Sequence, residues 1–569
     1  MSLNSNPQLR MPGFNVKLNC QPDRNVIQNW YHGFPNALDD NDMFQWYYWR
    51  DVELTLLPSD LVTHREVLMM RVVNTITDKP QWDQKVFDKN ITTKWRDEIA
   101  QSGQDVTPKM MDWIIEELQW KANILKETGH VCVFDVGVIK SDTAVSKELQ
   151  QSLKEAVKPL EDMPEKDYHP GSDNKVVDLV HPSLFPVIYG QTRVLPDRVI
   201  GLDDCLGSVD KEISYPRHHY HSEEQICVFS DKFQWLPCDV EIIDDARCRI
   251  VSYINNAHPV HHKPLYEVVE KIIAQAIPLW NRSLSVILEP RMEYTNVEYG
   301  EHPEPEPVQP EGDDHDEDDG KVPVLIIPPE PGSFQPRKEI FSANLREQFP
   351  GKKLQIIVKL ANITLSPDNP EYEGGSWHIE GQLNERICAT AIYYYDSENI
   401  TDNSLAFRQR GMKYMLEIGY EQGQFEFLQA VFGFDDQVNG SGNNRDITQD
   451  LGAVACKEGR LLTFPNTVQH RVSPFSLVDP SKPGHRKILA LFLVDPIQED
   501  WGYERQDAVN QALASLPAEL RDIVQDDLDP VMTMEKAKEY RLELMKERGH
   551  RSGKHNQHFE TGDFNLCEH

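Results

Sequence analysis

Five short apolar segments, separated by Gly, Pro, Asn and Asp, follow one another between about residue 322 and residue 500. They are KVPVLIIP, KLQIIVKLANITL, RICATAIYYY, GRLLTFPN and RKILALFLVDP. Runs of this length, rich in β-branched and aromatic residues and bounded by turn residues, are typical of a sandwich or barrel. The sequence therefore predicts a β core over residues 322–500.

The rest of the chain divides by composition into four regions. Residues 1–40 are rich in Pro and Asn and are predicted to be an extended arm. Residues 41–300 mix helix and strand patterns. Thr107 is predicted to cap a helix that starts at Pro108 and ends at Gly129, and a second amphipathic helix is predicted from Lys263. Strands are predicted for HVCVFDVGV and QICVFSDKFQWLPCDVEI. Residues 301–321 form an acidic, Pro-rich insertion, and residues 501–569 a helical tail.

The acidic composition argues against a nucleic-acid partner. The chain of 569 residues has a formal net charge of −34, which repels phosphate backbones. Ten of residues 301–320 are acidic and four are proline, so the insertion is predicted to be disordered, either as a solvated segment or as a docking tail for a basic partner.

Cysteine usage and hydropathy predict an intracellular, cytoplasmic protein. The nine cysteines are scattered and form no CxxC pair, which is typical of reduced thiols. The N-terminal residues lack the apolar core of a signal peptide. No window reaches the roughly 18 apolar residues of a membrane span, so no membrane partner is expected.

One histidine and one glutamate stand at the start of an apolar run, in GGSWHIEGQLNERICATAIYYY. On a strand, residues i and i+2 face the same side, so His378 and Glu380 are predicted to point together. A second histidine, His470, follows the β segment GRLLTFPN. Two histidines and a carboxylate on one face, with open positions, form the facial triad of non-haem Fe(II) enzymes. We therefore predict that His378, Glu380 and His470 are metal ligands and catalytic residues.

A dicarboxylate co-substrate at such a metal needs a buried cation for its far carboxylate, and arginine grips a carboxylate through two parallel bonds. Arg486 begins the last apolar segment and is the first candidate, with Lys487 a lesser one that points the other way. Lys359 and Asn362 are further candidates for binding the co-substrate or the substrate. Trp377 and Arg386 flank the predicted metal site and are candidates for substrate contact.

The region from about 340 to 496 resembles the double-stranded β-helix (jelly-roll) core of Fe(II)/2-oxoglutarate-dependent dioxygenases, on HRVSPFSLVDPSKPGHRKILALFLVDP above all. WHIEGQLNERICATAIYYYDSENIT and FPNTVQHRVSPF resemble a large fungal family of unknown function. The resemblance implies an α+β protein with this core in its C-terminal half. It implies Fe(II), 2-oxoglutarate and O2 as cofactors, with Arg486 as the 2-oxoglutarate anchor.

The activity implied by this resemblance is oxidation, usually hydroxylation, of a C–H bond of a small-molecule substrate, with succinate and CO2 as co-products. Desaturation and ring closure are also open to the same chemistry. Two alternatives stay open: a cupin-like metalloenzyme that does not use 2-oxoglutarate, and a non-catalytic interaction protein with a decayed site. The sequence does not identify the substrate or the oligomeric state.

Two further features have functional and structural interpretations. The histidine-rich loops PRHHYHSEE and AHPVHH, with His218, His219, His221, His258, His261 and His262, lack zinc-ligand spacing and are predicted to lie near the substrate entrance. Residues 433–446 have the Gly, Asn and Asp content of a loop, which is either a lid over the substrate or an ordinary surface loop.

Overall fold

The computed structural model describes residues 34–38, 61–188, 192, 230, 232–287, 290–300, 325–349, 353–411, 418–435, 445–496 and 532–562. Its helices are α1 (His64–Ile76), α2 (Trp82–Lys85), α3 (Lys89–Ala100), α4 (Pro108–Thr128), α5 (Lys147–Glu161), α6 (Lys263–Leu284), α7 (Phe427–Ala430) and α8 (Met534–Glu560), with a 3₁₀ turn over Leu383–Glu385.

The strands in the described part of the chain are numbered in chain order. They are β1 (Val131–Phe134), β2 (Val138–Ser141), β3 (Val176–Val180), β4 (Val187–Ile188), β5 (Phe233–Gln234), β6 (Cys238–Ile242), β7 (Cys248–Ile250), β8 (Val286–Ile287), β9 (Glu298–Tyr299), β10 (Ile326–Ile327), β11 (Glu339–Phe341), β12 (Leu354–Leu365), β13 (Glu371–Tyr372), β14 (Ile387–Glu398), β15 (Ser404–Arg410), β16 (Arg445–Asp446), β17 (Thr448–Ala455), β18 (Leu461–Pro465), β19 (Gln469–Val472), β20 (Phe475–Ser476), β21 (Gly484–Val494) and β22 (Thr561–Gly562).

A nine-stranded antiparallel sheet forms the centre of this mixed α+β structure. Its order is β1-β2-β18-β14-β21-β12-β6-β7, and β3 pairs with β12. The long strands β12 and β14 flank β21 on both sides. Strands from the predicted N-terminal region and from the predicted β core therefore share one sheet. The boundaries of the predicted regions themselves stay predictions.

The two faces of this sheet bury different residues, as the period of two along a strand requires. On β21, Leu489, Leu491 and Leu493 belong to a core that also contains side chains of α5 and α6; we call this the outer face. Ile488, Ala490 and Phe492 belong to a second core on the opposite, inner face, together with side chains of the three-stranded sheet β17-β15-β19. The inner core therefore lies between two antiparallel sheets.

Several local predictions are confirmed by the helix and strand bounds. The helix predicted from Pro108 is α4; the Thr107 side chain accepts a hydrogen bond from the Met110 N–H, and Gly129 ends the helix in the left-handed conformation. The second amphipathic helix is α6. FQWLPCDVEI contains two strands, β5 and β6. In the C-terminal tail, MEKAKEYRLELMKERG lies within α8.

One strand prediction is wrong. HVCVFDVGV was predicted to be one strand, but it contains β1, a turn and the start of β2, which pair with each other. The turn ends at Gly137, whose φ of 100° is strained for any residue with a side chain. A Cβ at this position would also clash with the backbone oxygen of Ser283.

The extended arm is described only at residues 34–38, and the acidic insertion, the loop with His218, His219 and His221, and residues 501–531 of the tail lie outside the described residues. Within the described ranges, no helix has the length and apolarity that a membrane crossing requires.

Candidate metal centre

Two histidines from distant parts of the sequence are joined through their backbones. The His378 N–H donates to the His470 carbonyl at 3.2 Å, and the His470 N–H donates to the His378 carbonyl at 3.1 Å. On its other side, β19 pairs with β15, where Phe407 lies opposite His470. The bridge brings the two imidazole rings together, with their centroids 4.3 Å apart.

Glu380 completes a group of three that we call the triad: His378, Glu380 and His470. Its Oε1 lies 3.3 Å from Nε2 of His470 and 3.7 Å from Nε2 of His378. The strand predicted for this pair is wrong, because His378 forms an isolated bridge and Glu380 lies in a bend. The two side chains nevertheless converge, and Ile379 between them is buried in the outer core.

The hydrogen bonding of His378 favours metal coordination. Nδ1 of His378 lies 2.8 Å from the carbonyl oxygen of Ser376. Because a carbonyl only accepts, Nδ1 carries a proton, and Nε2, which faces Glu380, is the nitrogen that a metal would bind. A backbone carbonyl on the second ring nitrogen is the usual support of a metal-bound histidine. Nδ1 of His470 is buried with no hydrogen-bond partner.

The charge states of the triad also suit a cation. Burial opposes ionisation of Glu380, but the two adjacent imidazoles outweigh it and hold the pKa of Glu380 well below its usual value. Burial, together with repulsion from His378, lowers the pKa of His470 to about 4. At neutral pH, Glu380 is therefore an anion and His470 a neutral imidazole, which are the forms that bind metal. Burial favours the neutral form of His378, but the adjacent Glu380 outweighs it and raises the pKa of His378, so a metal ion would displace a proton from this ring.

The separations within the triad fit one shared ion. Two atoms held about 2.1 Å from an ion at an angle near 90° lie about 3 Å apart. The two carboxylate–imidazole distances given above are close to this value, and one potential ligand atom from each residue lies within 4.8 Å of the other two. The side chains of His470 and Glu380 are 3% and 14% exposed, whereas that of His378 is 38% exposed, so the centre is accessible to solvent on the His378 side.

A second histidine–carboxylate cluster contains His169, Asp178 and His181. Its hydrogen bonds do not suit a metal. Nδ1 of His181 accepts from the Ser183 N–H at 3.1 Å, and burial lowers the pKa of His181 well below its usual value, so the ring is neutral. A neutral ring that accepts at Nδ1 carries its proton on Nε2. His181 therefore presents a donor at Nε2, and its Nδ1 is already occupied by the Ser183 N–H.

Arg486 lies on the inner face of β21, in line with Ile488, Ala490 and Phe492, and Lys487 points the other way, as the sequence predicts. Its side chain is buried, and one guanidinium nitrogen donates to Oδ1 of Asn403 at 2.9 Å. The guanidinium lies over the rings of Tyr394 and Phe475, at 5.7 and 5.2 Å. Among the described residues, no carboxylate forms a salt bridge with Arg486, and its Nε has no hydrogen-bond partner.

The other polar candidates, Lys359, Asn362 and Lys487, lie on different faces of the central sheet. Lys359 pairs with Ala490 in register and lies on the inner side of β12, where the described residues offer its amine no salt bridge. The structure does not bring Asn362 to the triad. Three residues on from Lys359, it faces outward, where it donates to Glu161 at 2.6 Å and accepts from the Tyr395 hydroxyl. Lys487 also faces outward and pairs with Glu161.

Trp377 and Arg386 lie close to the triad in sequence but have different surroundings. The Trp377 ring contacts the guanidinium groups of Arg408 and Arg471, each 4.6 Å from its centre. Arg386 is fully buried with a φ of 53°, and its carbonyl accepts from the Asp495 N–H at 2.9 Å. Their substrate contacts stay predictions.

The remaining sequence candidates do not join the triad. His258 and His261 stack at 3.9 Å before α6, and Nδ1 of His258 accepts from the His261 N–H. Among the described residues, this group forms no three-ligand cluster. Of the loop 433–446, residues 436–444 lie outside the described residues, so the lid stays a prediction.

Sequence reasoning did not find the side chains that support the triad and Arg486. Asn466, 1% exposed, hydrogen-bonds to the backbone of Glu380. Tyr394 and Asn403 contact Arg486. The only available signal for Asn466 was its place in FPN, directly after a buried strand. Tyr394 could have been assigned to the inner face by its alternation with Tyr393 and Tyr395.

Comparison with known families identifies the group to which the chain belongs. Residues 108–500 match the model described as protein of unknown function (DUF4246), and residues 11–98 match the model of its N-terminal domain. The chain belongs to the DUF4246 family. The DUF4246 match over residues 108–500 includes the triad and Arg486, whereas α8 lies outside it. No curated protein matches the chain.

Among solved structures, the chain is similar to the Fe(II)/α-ketoglutarate-dependent dioxygenase TqaL, with 11% identity over 63% of this chain and 95% of that one and a TM-score of 0.20. It is also similar to IDO from Bacillus thuringiensis, with 11% identity, 25% and 47% coverage and a TM-score of 0.14. A bsmA homologue from Methylobium petroleophilum PM1 has 13% identity, 30% and 59% coverage and a TM-score of 0.16.

The chain spans about half the length of the latter two proteins. At TM-scores this low, the three likenesses carry no argument about this DUF4246 member.

Proposed function

We propose that this protein is a non-haem Fe(II)/2-oxoglutarate-dependent oxygenase that oxidises, and usually hydroxylates, a C–H bond of a small-molecule substrate, with succinate and CO2 as co-products. The observation that carries the proposal is the convergence of His378, Glu380 and His470, with Glu380 Oε1 at 3.3 and 3.7 Å from the two Nε2 atoms. Two imidazoles and one carboxylate are the ligands of a facial Fe(II) triad.

The three ligands would hold Fe(II) on one side and leave its other positions to the co-substrate and O2. When bound, the iron supplies the activation of O2 and the oxidation of the substrate. The protein supplies the rest: the Ser376 carbonyl fixes the His378 ring, Glu380 and His470 are held in a largely buried position, and the more exposed His378 side leaves access for the co-substrate.

Arg486 is the proposed anchor of the distal carboxylate of 2-oxoglutarate. A buried guanidinium without an anionic partner is costly, and a carboxylate ligand would supply the missing charge and hydrogen bonds. Arg486 lies on the side of the inner core, which also contains Phe407 and Phe464. The rings of these two phenylalanines lie beside His470, so the position of Arg486 supports this role. Lys359 is a second inner-face cation for a carboxylate of the co-substrate or the substrate.

The arrangement of two facing antiparallel sheets supports, as part of the same proposal, a double-stranded β-helix core. Trp377 and Arg386 remain the proposed substrate contacts, and residues 433–446 the proposed lid. A small-molecule substrate and a cytoplasmic location belong to the proposal as well.

Anaerobic titration of the full chain with Fe(II) and then 2-oxoglutarate tests the proposal through the visible charge-transfer absorption of the ternary complex. Succinate formation in air, measured against a panel of amino acids and other small metabolites, tests turnover. His470→Ala should abolish both signals. His550→Ala, at an exposed histidine of α8 outside the triad, is the matched control and should leave both unchanged.

The other outcomes separate the alternatives. Metal binding that is lost in His470→Ala, without succinate formation or a spectral response to 2-oxoglutarate, would indicate a cupin-like metalloenzyme. Absence of Fe(II) binding in the wild-type chain would overturn the enzyme proposal and favour a non-catalytic interaction protein.

A further inference from the structure

Helix α8 packs one continuous row of side chains against the rest of the protein. The buried residues of the helix are Ala537, Arg541, Leu544, His555 and Phe559. Successive members are four, three, eleven and four residues apart, and eleven residues are close to three helical turns, so all five lie on one helical face. Ion pairs from Arg541 to Asp167 and from Arg548 to Glu385 fix the helix at two further points. Helix α8 is therefore a packed part of the fold, although the DUF4246 match ends before it.

Near its C-terminal end, α8 contacts the residues that directly precede both histidines of the triad. Nδ2 of Asn556 donates to the backbone carbonyl of Trp377 at 2.6 Å. Oδ1 of Asn556 accepts from Nε2 of Gln469 at 2.9 Å. Trp377 is followed by His378, and Gln469 by His470. One side-chain amide thus joins the two segments that carry the imidazoles.

Arg408 on β15 strengthens this connection. Its Nε donates to Oε1 of Gln469 at 2.7 Å, and its guanidinium lies 4.6 Å from the Trp377 ring. The same guanidinium forms an ion pair with Glu560 at the end of α8. Arg408 and Asn556 therefore hold Gln469 from both sides, which fixes the amide orientation that Asn556 requires.

We propose that Asn556 is a positioning residue of the metal centre, through which α8 sets the separation of His378 and His470. This inference rests on the metal centre of the proposed function. His378 belongs to no regular strand, and its bridge to His470 consists of two backbone hydrogen bonds. The Gly375 N–H also donates to the Val472 carbonyl at 3.0 Å, and Asn466 bonds to the backbone of Glu380. Asn556 adds a clamp of two bonds, one at each residue that directly precedes a histidine of the triad, Trp377 and Gln469.

Loss of a supporting residue of this kind typically weakens metal binding by about 10- to 100-fold. Asn556→Ala removes both hydrogen bonds. Asn556→Asp keeps the acceptor for Gln469 but places a carboxylate against the Trp377 carbonyl. Both variants should raise the dissociation constant for Co(II), used as a spectroscopic probe for the Fe(II) site, at least about tenfold. Gln557→Ala, an exposed neighbour on the same helical turn, is the matched control.

A metal-free measurement tests the clamp independently. Hydrogen–deuterium exchange of the full chain without metal should be faster in Asn556→Ala than in the wild type for peptides containing residues 376–380 and 468–472. Exchange in α4, far from the clamp in sequence, should not change. Gln557→Ala should leave all these peptides at wild-type rates.

Failure of this inference is distinguishable from failure of the proposed function. If His470→Ala loses Co(II) binding while Asn556→Ala binds Co(II) and exchanges deuterium like the wild type, the metal centre stands and the positioning role is overturned. If the wild-type chain binds no Co(II), the proposed function fails. Local exchange in the metal-free variants then decides alone whether Asn556 holds the two segments.

Discussion

The side-chain amide of Asn466 holds the backbone of Glu380 in both directions. Its Oδ1 accepts from the Glu380 N–H at 3.1 Å, and its Nδ2 donates to the Glu380 carbonyl at 3.1 Å. Nδ2 also donates to Oδ1 of Asn36 at 3.2 Å. Because Glu380 lies in a bend and not in a strand, these bonds replace the sheet hydrogen bonds that would otherwise fix its position.

Replacement of Asn466 by Ala should therefore weaken metal binding. The two bonds to Glu380 disappear, and the backbone groups of Glu380 lose their partners in a nearly dry environment. We expect a Co(II) dissociation constant about 10- to 100-fold above that of the wild type, measured by absorption titration. Asn369→Ala, which removes one exposed hydrogen bond to Asp173, is the control and should bind Co(II) normally. Normal binding by Asn466→Ala would show that the bend positions Glu380 unaided.

Arg486→Met should raise the KM for 2-oxoglutarate at least about tenfold, because a charge-assisted pair contributes about 1.5–3 kcal/mol. Arg486→Lys should recover part of the loss, since lysine keeps the charge but not the planar fork. The rate of succinate formation at varied 2-oxoglutarate concentration gives the KM of each variant.

Lys487→Met is the neighbouring control for Arg486. Lys487 faces outward and pairs with Glu161 and Asp396, so its loss should leave the KM for 2-oxoglutarate unchanged. An equal rise in both variants would contradict a specific role for Arg486.

The alternation of residues along single strands explains how much of the fold and site is predictable from sequence. On β21, the period of two puts Arg486, Ile488, Ala490 and Phe492 on one side regardless of what packs there. The start signals Thr107 and Pro108 and the stop signal Gly129 similarly define a helix from local chemistry alone. The faces of a strand and the ends of a helix are determined by residues close to one another in sequence, so they can be predicted from the sequence alone.

The supporting residues depend on contacts between distant segments. Asn556 and Asn466 acquire their roles only because α8 and the segment after β18 fold against Trp377, Gln469 and Glu380. Asn362 shows the converse: its residue type suits a binding site, but its position on β12 turns it towards Glu161. The register of β12 against β21 and β3 determines that face, and a single sequence does not specify it.

A buried ion-pair network between the α4 helix and the segment after β8 should contribute strongly to stability. Nε of Arg291 donates to Glu117 at 2.9 Å, and the two side chains are 1% and 0% exposed. Arg291→Met leaves the Glu117 carboxylate buried with fewer partners, so the free energy of unfolding should fall by about 3–5 kcal/mol, as measured by urea denaturation.

The exposed pair of Arg249 and Glu241 is the control for this network. Arg249→Met should change the free energy of unfolding by about 1 kcal/mol or less, because solvent screens exposed charges. Similar losses in the two variants would contradict a special contribution of the buried network.

His130 should make the protein less stable as the pH falls from about 6.5 to about 4. Burial, and secondarily the positive charge of Arg282, lowers the pKa of His130 to about 4. The unfolded chain, with a histidine pKa near 6.5, then binds more protons than the folded chain within this window. By linkage, stability is fully present above about pH 6.5 and is lost as the pH falls towards about 4.

His130→Leu should flatten this dependence. A shift of this size corresponds to a difference of about 2–3 kcal/mol between the two ends of the window. Urea denaturation of the wild type and the variant at several pH values between 4 and 7 measures the difference directly, and other titrating groups cancel in the comparison. If both proteins lose stability in parallel as the pH falls, His130 accepts a proton in the folded state as readily as in the unfolded chain.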